Sequence, residues 1–209
     1  MAGKITALKY QKKNPDRASV FIEGRFALGV PAIVAASLRR GQFLSDAEIE
    51  SLREQGSTET AYNQTLNYLS YRPRSRAETV AYLEKRGLSE NQIEAVVSRL
   101  QRANLLDDEA FAQYWVENRE RFRPRGTRAL RYELRTKGIA EALIDEALAS
   151  IDMSASAHRA ASRKAEQLNH LDEPTFRRKL IEYLARRGFD YGVARETADH
   201  YWEALDSGS

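Results

Sequence analysis

Three times along this chain a helical pattern closes in the same way. Leu83, Leu134 and Leu184 each stand four residues before a glycine, at Gly87, Gly138 and Gly188. A glycine just past the last periodic residue ends a helix, because it accepts the left-handed backbone there. The closing glycines are roughly 50 residues apart, a spacing typical of helical repeats. After each comes a further helical pattern: Ile93, Val96, Val97 and Leu100; Ile144, Ala147, Leu148 and Ile151; Val193, Thr197 and Tyr201. A single supersecondary unit used three times, each unit three short helices, predicts a mainly α protein built as an elongated or curved array. Neighbouring units then bury each other's open faces.

A different grammar precedes the repeats. Lys4 to Tyr10, Ala18 to Glu23 and Arg25 to Val30 are β-rich, with turn signals at Asn14-Pro15-Asp16 and Glu23-Gly24. A small antiparallel β-element is expected, with a helix over Ala32 to Arg40 closed by Gly41. Ser45 with Glu48 reads as a capping box for another helix. Gln55-Gly56-Ser57-Thr58 reads as a linker. The expected divisions are 1–56 for the β-rich element and 57–104, 105–152 and 153–207 for the three repeats. Ser89 with Gln92, and Asp107, are read as further helix caps.

Charge is uneven. The net charge is only +3, yet the stretch from Asn118 to Lys137 carries Arg119, Arg121, Arg123, Arg125, Arg128, Arg131 and Arg135 against only Glu120 and Glu133. Pro124 and Gly126 mark a turn, and a helix follows. At about 100° per residue, Thr127, Leu130 and Leu134 share one face of it. Arg128, Arg131, Tyr132 and Arg135 share the opposite face. In the sibling repeats the positions of Arg131 and Arg135 hold Val80 and Ile181, and Glu84 and Ala185, so the fold itself does not demand cations there. Such a face suits phosphates or a partner's acidic surface. Arg72, Arg74 and Arg76 before the first repeat's second helix, and Arg186 and Arg187 at the end of the third's, extend the candidate surface.

Other chemistries are poorly represented. The chain has no cysteine, which removes disulfides, thiolate metal sites and cysteine nucleophiles. No run of apolar residues is long enough to span a bilayer, and the N-terminus lacks a signal-peptide core. A cytoplasmic protein is expected. Asp107-Asp108-Glu109 is read as helix-capping acid, not a cation site, and His158, His170 and His200 as separate surface residues. There is no nucleophile elbow and no phosphate-binding glycine loop, so neither an enzyme nor a cofactor or metal is expected. A helix-turn-helix reading meets an obstacle. The last helix of the middle unit carries Glu141, Asp145 and Glu146 and no cation, which phosphates would repel.

The sequence resembles the RecX family, bacterial regulators of the RecA recombinase. The resemblance rests on YRPRSRAE and YLEKRG between Tyr71 and Gly87 and on LLDDEAFAQYWVENRERFRPRG from Leu105 to Gly126. ELRTKGI from Glu133 and YLARRGFDY from Tyr183 complete it. It implies tandem three-helix repeats and a non-enzymatic role in recombination, DNA repair and the SOS response. A RecX-like protein lies in the groove of the RecA–single-stranded-DNA filament, limits its growth and lowers its ATPase and strand-exchange activity. The expected partners are therefore the RecA filament and, without sequence preference, single-stranded DNA, met by a monomer. The alternative is a stand-alone DNA-binding regulator.

Overall fold

The computed structural model describes residues 2–12 and 14–207. Among them are four strands and ten helices. Strands β1 (Gly3–Gln11), β2 (Asn14–Ile22), β3 (Arg25–Pro31) and β4 (Phe43–Leu44) form one antiparallel sheet in the order β3-β2-β1-β4. The β2–β3 hairpin turns at Glu23 and Gly24, whose φ values of 47° and 77° are both left-handed, as a type I′ turn requires. Asn14-Pro15-Asp16 lies inside β2 rather than in the expected turn. A proline is tolerated at the start of a strand, where a ladder N–H is least needed. β4 lies beyond the expected strands; at two residues it has no alternation to read.

Helix α1 (Ala32–Ala35) is shorter than the pattern from Ala32 to Arg40 suggests. The chain is pulled back onto the sheet: Gly41 donates its N–H to the Ile5 carbonyl and Ile5 donates to that of Gln42, both at 2.8 Å. Helix α2 (Asp46–Ser70) begins with the expected capping box of Ser45 and Glu48. It then runs without a break through Gln55-Gly56-Ser57-Thr58, where a linker was expected. Thr58 and Thr60 turn their hydroxyls onto the carbonyls of Glu54 and Gly56, which satisfies them within the helix. Gly56 is buried because α2 passes close to β3: a Cβ there would lie 3.3 Å from Val30. The glycine permits close packing here, not flexibility.

Two compact units follow from the packing. One runs to Arg74 and takes in Thr79–Leu106; the other comprises Ser75–Glu78 and the chain from Asp107 onward. In the first, Ile5, Val20, Leu28 and Val30 of the sheet close over Ile49 and Leu52 of α2. Further along α2, Ala61, Tyr62, Leu66 and Leu69 join α3 (Arg76–Glu84) and α4 (Glu90–Arg102) through Leu83, Val96, Val97 and Leu100. In the second unit, α5 (Asp108–Phe122), α6 (Thr127–Thr136) and α7 (Glu141–Ala149) bury Phe111, Leu130, Leu134 and Ile144. Helices α8 (Met153–Leu168), α9 (Glu173–Arg186) and α10 (Tyr191–Asp206) bury Phe176, Leu180 and Leu184 against an alanine-rich α8.

The helix endings are built as their sequence implies. Gly138 and Gly188 have φ values of 75° and 89°. The N–H of Ile139 reaches the Leu134 carbonyl at 3.1 Å and that of Phe189 the Leu184 carbonyl at 3.2 Å. Gly138 and Gly188 donate to Arg135 and Ala185, completing two Schellman caps. The fully buried leucine and the apolar residue after the glycine close the cap from the core side.

Candidate functional site

The basic loops begin as joints. Arg123 caps the C-terminus of α5 and Gly126 the N-terminus of α6. Between them the loop lies against the closing turn of α9. Gly126 donates its N–H to the Arg187 carbonyl at 3.0 Å, and the N–H of Arg128 reaches the Gly188 carbonyl at 3.3 Å. Two guanidiniums brace this crossing: Arg128 Nη2 donates to the Ala185 carbonyl at 2.9 Å and Arg187 Nη1 to that of Pro124 at 3.2 Å. The corresponding loop one repeat earlier does the same with other chemistry. Ser75 Oγ donates to the Lys137 carbonyl at 2.7 Å, and Lys137 Nζ meets Glu78 Oε1 at 2.7 Å. Ser75 and Gly126, which close the Arg-Pro-Arg-Ser and Arg-Pro-Arg-Gly motifs, thus each meet a helix ending farther along the chain.

The middle helix keeps the division of faces read from its sequence. Leu130 and Leu134 are fully buried, and Tyr132 is 72% exposed on the other side. Its cations, however, are largely paired. Arg131 bridges Glu141 and Asp145, with Nη2 2.6 Å from Asp145 Oδ1, and Arg135 Nε lies 2.8 Å from Glu141 Oε2. The Glu141 carboxyl is held below its usual range, first by the Arg135 hydrogen bond. Acids that set α7 against phosphates therefore neutralise the helix beside them. Arg119 Nε and the indole N–H of Trp115 share Glu133 Oε2, at 2.7 and 2.8 Å. Arg125 Nε stands 4.0 Å from Glu133 and is buried without a hydrogen-bond partner. Arg121 lies over the Phe122 ring at 5.3 Å. Arg123 and Arg186 are exposed, with no side-chain partner among the described residues.

The flanking basic residues are held differently. Arg72 Nη1 donates to the neighbouring Pro73 carbonyl. The N–H of Arg76 donates to Asp108 Oδ1 at 2.7 Å, and burial raises the Asp108 carboxyl above its ordinary range. Arg74 stacks on Tyr68 at 4.1 Å, Tyr68 stacks on Tyr82 at 4.0 Å, and Arg86 covers Tyr82 at 3.7 Å. This column of two cations around two tyrosines joins α2 to α3. Only Arg74 of the four was singled out from the sequence. Tyr68 and Tyr82 sit beside the apolar stripes of two different helices, and their meeting is tertiary. Asp107 accepts from the N–H groups of Glu109 and Ala110, the capping role expected of it. No group of three or more metal-ligating side chains gathers among the described residues. His158 and His200, read as separate, meet edge to face at 4.8 Å. Among the described residues no helix is long and apolar enough to cross a membrane.

Comparison with known proteins agrees with this architecture part by part. Residues 3–45 match the family description "Regulatory protein RecX N-terminal domain". Residues 61–100, 107–148 and 152–197 match the first, second and third three-helix domains of RecX. The chain is 40% identical over 142 residues to regulatory protein RecX of Prosthecochloris aestuarii, covering 68% of this chain and 93% of that protein. It is 31% identical over 201 residues to that of Bacillus subtilis, covering 93% and 76%. A crystal structure of regulatory protein RecX superposes with a TM-score of 0.79 at 26% identity, over 95% of this chain and all of the other. RecX from Lactobacillus salivarius shares the fold at a TM-score of 0.62, over 71% of this chain and 96% of that one. With an N-terminal sheet and three tandem three-helix domains matched in order, this chain belongs to the RecX family of regulatory proteins.

Proposed function

We propose that this protein is a non-enzymatic inhibitor of the RecA recombinase that binds along the groove of the RecA–single-stranded-DNA filament in the cytoplasm and limits its growth, ATPase and strand exchange. The observation that carries the reading is the repeated joint. Ser75 on Lys137 and Gly126 on Arg187 are two joints of one design, both within the second compact unit. A partner that is itself a repeating polymer meets such a series with several weak contacts, and linkage raises their combined strength. The contacts proposed for it are Tyr132 and the exposed cations Arg121, Arg123 and Arg186, with Arg72, Arg74 and Arg76 beside the first repeat. Arg119, Arg125, Arg128, Arg131, Arg135 and Arg187 serve first as internal braces, and those at the surface reach the partner by exchanging an internal carboxylate for one of its own. A sequence-reading regulator is not favoured, because Glu141 and Asp145 occupy the face of α7 beside the cations. The test is RecA ATPase on single-stranded DNA with increasing amounts of this protein. A fall in ATPase at less than one protein per RecA is expected; an unchanged rate at excess protein would overturn the reading.

A further inference from the structure

A second cationic feature lies wholly within the first unit. A cleft of about 540 Å³ runs between β3, one face of α2 and the end of the α3 segment. Arg17, Arg53 and Arg86 line it, with the hydroxyls of Ser57 and Thr60 and no aspartate or glutamate. Arg17 is fixed without a carboxylate: its two terminal nitrogens donate to Thr60 Oγ1 and to the Gly29 carbonyl, both at 3.2 Å. Arg86 Nε donates to Gln64 Oε1 at 3.1 Å, and its plane is set by Tyr82. Arg53 alone has an acid, an exposed contact to Glu50 at 3.2 Å. Whereas Arg131 and Arg135 are neutralised by their neighbours, these guanidiniums converge with most of their charge unmet.

An anion is the occupant that this charge calls for, and the surroundings choose among anions. The β3 edge is a poor template for an added peptide strand, because Arg53 and Arg17 already occupy the carbonyls of Ala27 and Gly29. Arg86 also ends the column of Arg74, Tyr68 and Tyr82, a stack of planar groups of the kind on which unpaired bases continue. Guanidinium forks and the Ser57 hydroxyl suit phosphate oxygens, while the Thr60 hydroxyl proton is held by the Gly56 carbonyl. We infer that this cleft seats the backbone of single-stranded nucleic acid, with a phosphate between Arg17, Arg53 and Arg86 and a base extending the arginine–tyrosine column. The inference deepens the proposed function by giving the DNA strand a place on this chain. Its test uses no recombinase, so either can fail alone.

The experiment is anisotropy of a labelled oligothymidylate with the full-length protein across a salt series. Replacing Arg17→Ala and Arg86→Ala together is expected to weaken binding about tenfold and flatten the log–log salt slope by about 0.7 per cation lost. Arg163→Ala with Lys179→Ala, two exposed cations of the third repeat, serves as a charge-matched control expected to change little. If Arg17→Ala disturbs the circular dichroism or melting of the protein, Arg53→Ala with Arg86→Ala replaces it. Arg86→Lys is expected to keep the salt slope but lose affinity, since lysine has charge without a plane. The inference is overturned if the double variant binds with wild-type affinity and slope. It is overturned equally if polyglutamate displaces the oligonucleotide as well as unlabelled oligothymidylate does, or if Arg86→Lys binds at full strength.

Discussion

The N–H of Gly126 points at the carbonyl of Arg187 from 3.0 Å, and the two backbones cross there with no room for a side chain. A Cβ at Gly126 would fall within the backbone of Gly188 and Phe189, and one at Gly188 would collide with Ala129. Gly126→Ala should therefore destabilise the second unit by more than about 2 kcal/mol, as overpacking against backbone leaves nothing flexible to yield. Urea unfolding measures it. Gly192→Ala meets nothing within 4 Å and should be neutral or stabilising by up to about 1 kcal/mol, through helix propensity.

The Arg131 and Arg135 ion pairs separate internal from external work. Each pair is at the surface, where water screens it and it adds little to stability. Arg131→Glu with Arg135→Glu should cost little stability yet reduce inhibition of RecA ATPase. Adding Glu141→Lys and Asp145→Lys restores the pairs with reversed polarity. If the face meets the filament, ATPase inhibition stays weak in the fourfold variant; recovery of full inhibition would confine these arginines to bracing.

Glu133 holds two donors, the Trp115 indole and Arg119, with one oxygen. Glu133→Ala strands both in a half-buried setting and should cost about 1.5–3 kcal/mol, the range for bonds to a charged group. A lowered melting temperature with unchanged helical content is the expected result. Retention of wild-type stability would show that water replaces the carboxylate without penalty.

His158 is packed against His200 and Tyr201, and its pKa lies below the ordinary value, first through desolvation and then through the neighbouring His200 charge. The unfolded chain therefore takes up this proton more readily than the folded one, and stability rises with pH across the window between the two values. As pH falls below about 6.5, the ordinary histidine value, the third repeat should lose stability. Urea midpoints between neutral and mildly acidic pH measure this, and His158→Phe should flatten the dependence. An equally steep slope in that variant would assign the effect elsewhere.

What could be read in advance was whatever a single helix decides for itself. Ser45, Ser89 and Asp107 cap where their sequence says, because a cap is made within four residues. Leu134 and Leu184 are buried beside their glycines because the Schellman turn is local. Gly56 misled for the opposite reason: in the sequence it stands among small polar residues like a linker, and only the approach of Val30 makes it a packing residue. The arginines of the middle helix were visible as a basic face, but Glu141 and Asp145 reach them from across a turn. No periodicity within one helix records that neutralisation. Tyr68 and Tyr82 were invisible as a pair for the same reason.

Helix α2 spans 25 residues and is shared by two cores, that of the sheet through Ile49 and Leu52 and that of the first repeat through Ala61 and Leu69. A shared rod fixes phase as well as distance. One residue inserted between Gln55 and Thr58 would turn the far core by about 100° and carry it about 1.5 Å along the axis. No compensating change at either end could absorb that rotation while both cores stay closed. Over this segment natural variation should therefore exchange residues freely but conserve their number, so that length, and not composition, keeps the sheet and the first repeat in angular register.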